Sequence, residues 1–144
     1  KQEQNEIESL RLTAQALLRA IINVDVQTFI EFLSEEEIVV DVDVYMTKSK
    51  IAEDLLNRGK IYCFVFDETK CQNQKKDQYR KSLRTLFINA KEIKIKISSV
   101  PNGESHLAVV EYIWKDKPPP PEFFDPWFKL TPKGWKIVNL FAPF

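Results

Sequence analysis

The segment WFKLTPKGWKIVNLF, residues 127–141, has the pattern of two β-strands joined by a tight turn. Trp127–Thr131 and Trp135–Phe141 alternate large apolar side chains with polar ones, as half-buried strands do. The turn Thr131–Gly134 between them contains a proline and a glycine, which favour a change of chain direction. This part of the sequence therefore predicts a β-hairpin.

The residues before this hairpin predict further strands. Residues 82–100 form a long β region, bulged near residues 89–92, whose second half alternates isoleucine and lysine from Ile93 to Ile97. Strict alternation predicts that the isoleucines are buried and the lysines exposed. Pro101–Glu104 contains Asn-Gly, a strong hairpin-turn signal, and His106–Trp114 is the returning strand.

Two earlier segments also have strand patterns. Ile38–Met46 is rich in β-branched residues and predicts one half-buried strand. In such a strand Val40, Val42, Val44 and Met46 lie on one face, and Asp41, Asp43 and Tyr45 on the other. Ile61–Phe66 is apolar on both faces and predicts a covered strand, whereas residues 67–78 lack periodicity and predict an exposed loop.

One long helix is predicted near the start of the sequence. Apolar residues recur at helical spacing from Ile7 to Ile21, which predicts an amphipathic helix over residues 6–23. Asn5 and Glu8 have the spacing of a capping box at its beginning. The apolar stripe of this helix requires a surface to cover it.

Two shorter helices follow. Asp25 is the expected N-cap of the second helix, whose buried stripe is Val26, Phe29, Ile30 and Leu33. Thr47 or Ser49 caps a third helix, with Ile51, Leu55 and Leu56 as its apolar residues and Gly59 at its C′ position. The order helix, helix, strand, helix and five strands indicates an α+β fold. Its helices are expected to pack on a mixed or antiparallel sheet that curves strongly around them.

Length and composition are those of a single globular domain spanning residues 1–144. Hydrophobic residues make up 44% of the chain and charged residues 29%, which is an ordinary balance. No apolar run approaches the roughly 20 residues of a membrane-spanning helix. The sequence begins at Lys1, which indicates a processed or trimmed product. The compartment stays open between the cytoplasm and, if a signal peptide was removed, an extracytoplasmic location.

The charges are unevenly distributed although the formal net charge is zero. Residues 1–54 contain twelve acidic and five basic side chains, and residues 55–96 contain eleven basic and four acidic ones. This asymmetry could form opposed faces or help two copies associate. It is not the uniformly basic character of a nucleic-acid-binding protein, and the basic stretch from Lys75 to Arg84 is interpreted as a solvated loop and strand edge.

The chain has two cysteines, Cys63 and Cys71. They could form a disulfide if the segment holding Cys63 folds back near the following loop, but the favoured interpretation is two free thiols with Cys63 buried. Two cysteines without a neighbouring histidine are too few for a structural zinc site. No metal or cofactor is expected.

The order of elements and the closing pattern WFKLTPKGWKIVNLF resemble the nuclear transport factor 2-like superfamily, also called the cystatin-like α+β cone. The residues that carry the resemblance are Trp127, Phe128, Gly134, Trp135, Ile137 and Val138. The resemblance implies a conical sheet with a pocket at its open end, and frequent dimerisation through the sheet. It implies no single activity, because the same cone serves isomerases, dehydratases, transport adaptors and non-catalytic domains. No catalytic residue is carried over.

Two residues are candidates for acid–base chemistry. Glu111 lies between apolar residues in the middle of a strand, where burial would raise the pKa of its carboxyl group. A salt bridge to Lys94 or Arg84, or a contact in a dimer interface, is the alternative explanation. His106, the chain's single histidine, opens the same strand and has no visible carboxylate to orient it.

Other side chains are candidates for binding. Asp41 and Asp43 would lie about 7 Å apart on one strand face, but two carboxylates do not suffice for calcium, and a solvated face is expected. Aromatic residues could line a pocket for a small, planar apolar ligand, although core packing explains them more simply. The proposed pocket residues are Tyr45, Tyr62, Tyr112, Trp127 and Trp135.

The sequence favours a non-catalytic module for small-molecule binding, protein interaction or dimerisation. The expected assembly is a homodimer through the sheet, because the strand His106–Trp114 is apolar on both faces and its second face needs a cover. The Pro-rich connection 115–126, with Phe123 and Phe124, is the alternative cover. A different class of function, a small-molecule isomerase, dehydratase or hydrolase, would require Glu111 or His106 inside an apolar pocket.

Overall fold

The computed structural model describes residues 2–70, 81–99, 106–115 and 124–141. Five helices lie in these ranges, together with a short 3₁₀ turn at Glu68–Lys70: α1 (Gln2–Ile22), α2 (Val26–Glu31), α3 (Lys48–Leu56), α4 (Lys60–Val65) and α5 (Leu83–Asn89). The strands are β1 (Ile38–Asp41), β2 (Val44–Met46), β3 (Lys94–Ser99), β4 (Leu107–Ile113), β5 (Trp127–Thr131) and β6 (Gly134–Asn139).

The strands form one open sheet in the order β2-β1-β6-β5-β4-β3. All neighbouring strands are antiparallel except β1 and β6, which are parallel. Val39 and Asn139 are partners in that parallel pair, and the Leu140 N–H donates to the Val39 carbonyl over 2.8 Å. The predicted fold class, helices packed on a curved mixed sheet, is confirmed.

Helix α1 packs against the concave face of the sheet. Its buried stripe is Leu10, Ala14, Leu17 and Ile21, at the 3–4-residue spacing expected of a core-facing helix. The sheet contributes the alternate residues of β4 (Ala108, Val110, Tyr112) together with Phe128, Trp135 and Ile137. Because side chains alternate across a strand, the intervening residues of β4 lie on the opposite, convex face.

Several predicted elements are confirmed. Asp25 caps α2, since its carboxylate accepts from the Thr28 N–H and the Thr28 hydroxyl. Both hydrogen bonds lower the pKa of the Asp25 carboxyl below its usual value, and the one from the Thr28 hydroxyl has the larger effect. Thr47 caps α3 through the Lys50 N–H, and the closing hairpin of β5 and β6 turns at Pro132 and Lys133.

The single strand predicted over Ile38–Met46 is wrong, because a tight turn divides it. Val42 and Asp43 form the turn between β1 and β2, and Asp43 has a φ of +57°. Aspartate tolerates this left-handed conformation better than most residues do. The unbroken alternation of the sequence conceals the turn, and Val42 and Val44 are exposed rather than buried.

Two other predicted strands are helices. Ile61–Phe66 belongs largely to α4, whose first N–H groups are satisfied by the Asp54 carboxylate: Oδ1 accepts from Ile61 N and Tyr62 N over 2.9 and 3.1 Å. The first half of the region 82–100 is α5, which is capped by Ser82 through the Thr85 N–H. Only its second half, β3, is a strand.

Two predicted helix ends are also wrong. Helix α1 begins at Gln2, so Asn5 lies inside it and does not cap it. After α3 the left-handed C′ residue is Arg58, with a φ of +54°, and Gly59 follows it. The Gly59 N–H donates to the Asp54 carbonyl over 2.8 Å, and the Arg58 N–H to the Leu55 carbonyl over 3.3 Å, which is a Schellman motif. Leu56, one of the three apolar residues named for this helix, is exposed.

Some predictions lie wholly or partly outside the described residues. They are the turn Pro101–Glu104, most of the loop 67–78 and most of the connection 115–126. The antiparallel pairing of Ser99 with Ala108 is nonetheless that of a hairpin. Phe124, at the end of the Pro-rich connection, is fully buried in the core and stacks on Tyr112 with ring centroids 5.9 Å apart. It therefore packs on the concave side of the sheet.

The two faces of β3 can be distinguished by mutation. Ile95 packs partly buried against the core, whereas Lys94 is exposed. We expect Ile95→Ala to lower the free energy of unfolding by about 1–2 kcal/mol, roughly half the cost at a fully buried site, and Lys94→Ala to change it by less than about 0.5 kcal/mol. Urea denaturation of the two variants measures the difference, and equal losses would mean that the register is misassigned.

Candidate functional site

Glu111 lies in the middle of β4 on the convex face of the sheet and is half-buried. Its partner in the register of β3 and β4 is Lys96, which is an opposite charge directly across the strands. Of the two bases considered from the sequence, Lys94 is paired with Ile113, and the Arg84 side chain donates to the Ile22 carbonyl over 2.8 Å. The position of Glu111 is that of a residue on a strand surface.

His106 is exposed immediately before β4. Its backbone carbonyl accepts a hydrogen bond from Leu130 N over 2.9 Å, which extends the pairing of β4 with β5 by one residue. The contact that His106 makes here is therefore a backbone hydrogen bond of the sheet. Glu111 and His106 lie five positions apart along the strand, about 17 Å at ~3.4 Å per residue.

Two of the five proposed pocket residues fasten α1 to the sheet. The Tyr112 hydroxyl donates to the Ala14 carbonyl over 2.7 Å, and the Trp135 indole N–H donates to the Glu6 carbonyl over 3.0 Å. Burial raises the pKa of the Tyr112 phenol far above its usual value, so the group stays protonated and remains a donor. Both rings fill the concave side.

The other three proposed pocket residues lie elsewhere. Tyr62 is on α4, where its ring contacts Phe66 at 5.4 Å. Trp127 is half-buried and pairs with Val109 and Asn139 in the sheet. Tyr45 is 58% exposed on β2. Strand β2 is four positions from β4, about 19 Å at ~4.8 Å per strand, so the five aromatics do not line one cavity.

Asp41 and Asp43 do not share the strand face predicted for them. Asp41 ends β1, and its Oδ1 accepts from the Val42 N–H over 2.8 Å, while Asp43 lies in the turn. Within the described residues, no group of three or more histidine, cysteine, aspartate and glutamate side chains could hold a metal ion. Lys75, Lys76 and Arg80 of the basic stretch lie outside those residues.

A shallow groove that the sequence did not reveal runs along the outer side of α1. Its volume is about 460 Å³ and it is lined by Asn5, Glu8, Ser9, Leu12, Thr13, Ala16 and Phe32. The α1 residues follow the 3–4-residue spacing of a second helix face, on which Leu12 and Ala16 are the apolar residues. The groove is open to solvent. Glu8 is the charged residue of its lining, and the Glu8 carboxylate forms an ion pair with Arg11 over 3.9 Å.

The free thiol predicted at Cys63 is wrong, because Cys63 is buried and disulfide-bonded. The chain has one other cysteine, Cys71, which lies outside the described residues. In the part of the chain that the structure describes, no helix is long and apolar enough to cross a membrane.

The chain matches no protein-family model and no curated protein sequence. Among solved structures it is similar to a protein of unknown function of the DUF3225 family from Pectobacterium atrosepticum, with 12% identity, TM-score 0.47 and coverage of 94% of this chain and 88% of that one. It is also similar to a domain of unknown function with a cystatin-like fold from Nostoc punctiforme, with 13% identity, TM-score 0.46 and coverage of 94% and 75%.

A third similar structure is a proposed dehydratase of the NTF2-like family from Streptomyces avermitilis, with 12% identity, TM-score 0.46 and coverage of 98% of this chain and 97% of that one. The cystatin-like fold expected from the sequence is thus named among these structures.

Proposed function

We propose that this chain is a non-catalytic protein-interaction domain that pairs with a second copy through the convex face of its sheet. The observation that carries the proposal is the apolar strip on that face. Leu107, Val109 and Ile113 of β4 alternate with the core residues, and Trp127 lies beside Val109 on β5. Except for Val109, these side chains are only half-buried. Glu111, opposite Lys96, interrupts this strip between Val109 and Ile113.

The residues around the strip support an interface. Lys94 and Lys96 lie on the same face of β3, and Lys129 of β5 is opposite Leu107. An apolar centre surrounded by charged side chains is the usual composition of a protein–protein interface. A two-fold dimer would cover the strip of both copies with one contact, and two-fold homodimers are the commonest assembly.

The packing of the concave side is the reason for preferring interaction to catalysis. Tyr112 and Phe128 are fully buried there, and the Tyr112 hydroxyl donates to the Ala14 carbonyl of α1. A small apolar ligand in this place would have to displace side chains that already fill it. The alternative of an isomerase, dehydratase or hydrolase requires an acid or base in such a pocket, whereas Glu111 is on the convex face and His106 is exposed.

Sedimentation equilibrium tests the dimer. At micromolar concentration we expect a species of about twice the 16.9 kDa chain mass. Ile113→Lys places a charge in the apolar strip and should weaken the dimer by about tenfold or more. Ile88→Lys is the matched control, because Ile88 is an exposed isoleucine on α5 and not on the sheet. A single species near the chain mass would contradict the proposal, and so would equal effects of the two substitutions.

A further inference from the structure

The two outer strands of the described sheet carry side chains of opposite character. Strand β3 presents Lys94 and Lys96, which are exposed. Lysines on an outer strand discourage other chains from pairing with its free backbone groups. Strand β2 has neither lysine nor proline, and Val44 and Tyr45 are 46% and 58% exposed. The β3 edge is therefore protected against pairing, and the β2 edge is not.

The exposed apolar surface continues from β2 into the adjoining turn. Val42 is 59% exposed, so three apolar side chains within four residues face solvent at one end of the sheet. Val44 and Tyr45 point to opposite faces of the sheet because side chains alternate along a strand. A chain lying along β2 could thus contact apolar side chains on both faces while it hydrogen-bonds to the backbone.

The residues before β1 and the turn before β2 are acidic, whereas the helix after β2 begins with Lys48, which pairs with Glu35, and carries the exposed Lys50. Glu37, Asp41 and Asp43 are exposed, and within the described residues none of them forms an ion pair. Their neighbours Glu35 and Glu36 form ion pairs with Lys48 and Lys129, respectively, each over 3.0 Å. Three uncompensated carboxylates therefore lie close to the free edge. They favour a partner of positive charge.

We infer that the β2 edge binds an extended segment of another protein in which apolar residues alternate with lysine or arginine. The segment would add a strand to the sheet, with backbone hydrogen bonds to β2, apolar contacts to Val44 and Tyr45, and basic groups near Asp41 and Asp43. A second copy of this chain fits less well, because its β2 strand, Val44–Met46, has no lysine or arginine to place near Asp41 and Asp43.

This surface is separate from the proposed dimer. Strand β2 lies four strand positions from β4, about 19 Å away, and does not carry the apolar strip of the convex face. The monomer and the dimer should therefore bind the basic segment equally well, and failure of one proposal leaves the other standing.

The test uses a synthetic eight-residue peptide in which valine alternates with lysine, titrated into isotope-labelled protein. Backbone amide resonances of Val44–Met46 should shift, with affinity that falls as salt is added. Val44→Lys should weaken binding by about tenfold. Leu56→Lys is the matched control, since Leu56 is 67% exposed on α3 away from the sheet, and it should bind as the parent does.

Two further peptides separate the contributions. One has alternate backbone nitrogens methylated, which removes donors and keeps the side chains, and it should not bind if a strand is added. The other carries glutamate in place of lysine and should bind about tenfold more weakly or worse. Equal binding of all three peptides would overturn the inference, as would shifts confined to other strands. A dimer that Val44→Lys dissociates would show instead that a second copy occupies the edge.

Discussion

Replacing Phe124 by alanine should lower the free energy of unfolding by about 3–5 kcal/mol, which is the range for a fully buried phenylalanine. Phe124 has no exposed surface, stacks on Tyr112 at 5.9 Å and contacts Phe141 at 6.0 Å. Its removal leaves a cavity between rings that belong to β4 and to the segment after β6. Those rings are held by other contacts and cannot close the space.

Urea denaturation followed by circular dichroism measures this loss. Leu56→Ala provides the control, because Leu56 is exposed and its truncation should change stability by less than about 0.5 kcal/mol. A loss below about 1 kcal/mol for Phe124→Ala would mean that the ring does not occupy the core.

The second large effect is expected at Gly59, where alanine should cost about 1–2 kcal/mol, the value of a lost helix cap. A Cβ atom at Gly59 would lie 2.6 Å from the Asp54 Oδ2 atom. The backbone itself accepts alanine, since φ is −84°. The cost arises because the Asp54 carboxylate cannot move away without losing its hydrogen bonds to Ile61 N and Tyr62 N.

A double-mutant cycle with Asp54→Ala tests this explanation. Once the carboxylate is absent, Gly59→Ala has nothing to displace, so the two losses should be less than additive by about 1 kcal/mol. Strict additivity of the two free-energy changes would place the cost of Gly59→Ala in the backbone and not in the cap.

The parts of the fold that could be predicted are those whose signal is local. Asp25 and Thr47 cap the helices that follow them, and the Pro-Lys turn gives the closing hairpin. The run Ile61–Phe66 could not be assigned by periodicity, because a short apolar segment fits a buried helix as well as a buried strand. Its helical state depends on Asp54, a capping side chain supplied by the preceding helix.

Helix α5 had a local signal that the apolar pattern outweighed. Ser82 precedes Leu83 and Phe87 at helical spacing, and its hydroxyl accepts from Thr85 N over 3.2 Å. Serine in this position is a typical N-cap. Assigning Ser82 as an N-cap would have predicted a helix here, separate from strand β3.

The candidate site was less predictable than the fold. The sequence places the aromatic residues Tyr112 and Trp135 on strands. It does not reveal that both side chains donate hydrogen bonds to carbonyls of α1. Glu111 was expected among apolar neighbours, and it does have them along its strand. The pattern of β4 alone does not specify which of its faces packs against α1, because this strand is apolar on both faces. That choice depends on the arrangement of the whole sheet.

The attachment of α1 has a consequence for biosynthesis. Side chains of Arg84, Tyr112 and Trp135 donate to carbonyls of α1 that lie 62, 98 and 129 residues earlier in the chain. The ribosome therefore releases the apolar stripe of α1 long before the strands that cover it exist. A nascent chain that stops before Trp135 still lacks the hydrogen bond to the Glu6 carbonyl, so the native packing of α1 can be completed only when the last strand emerges.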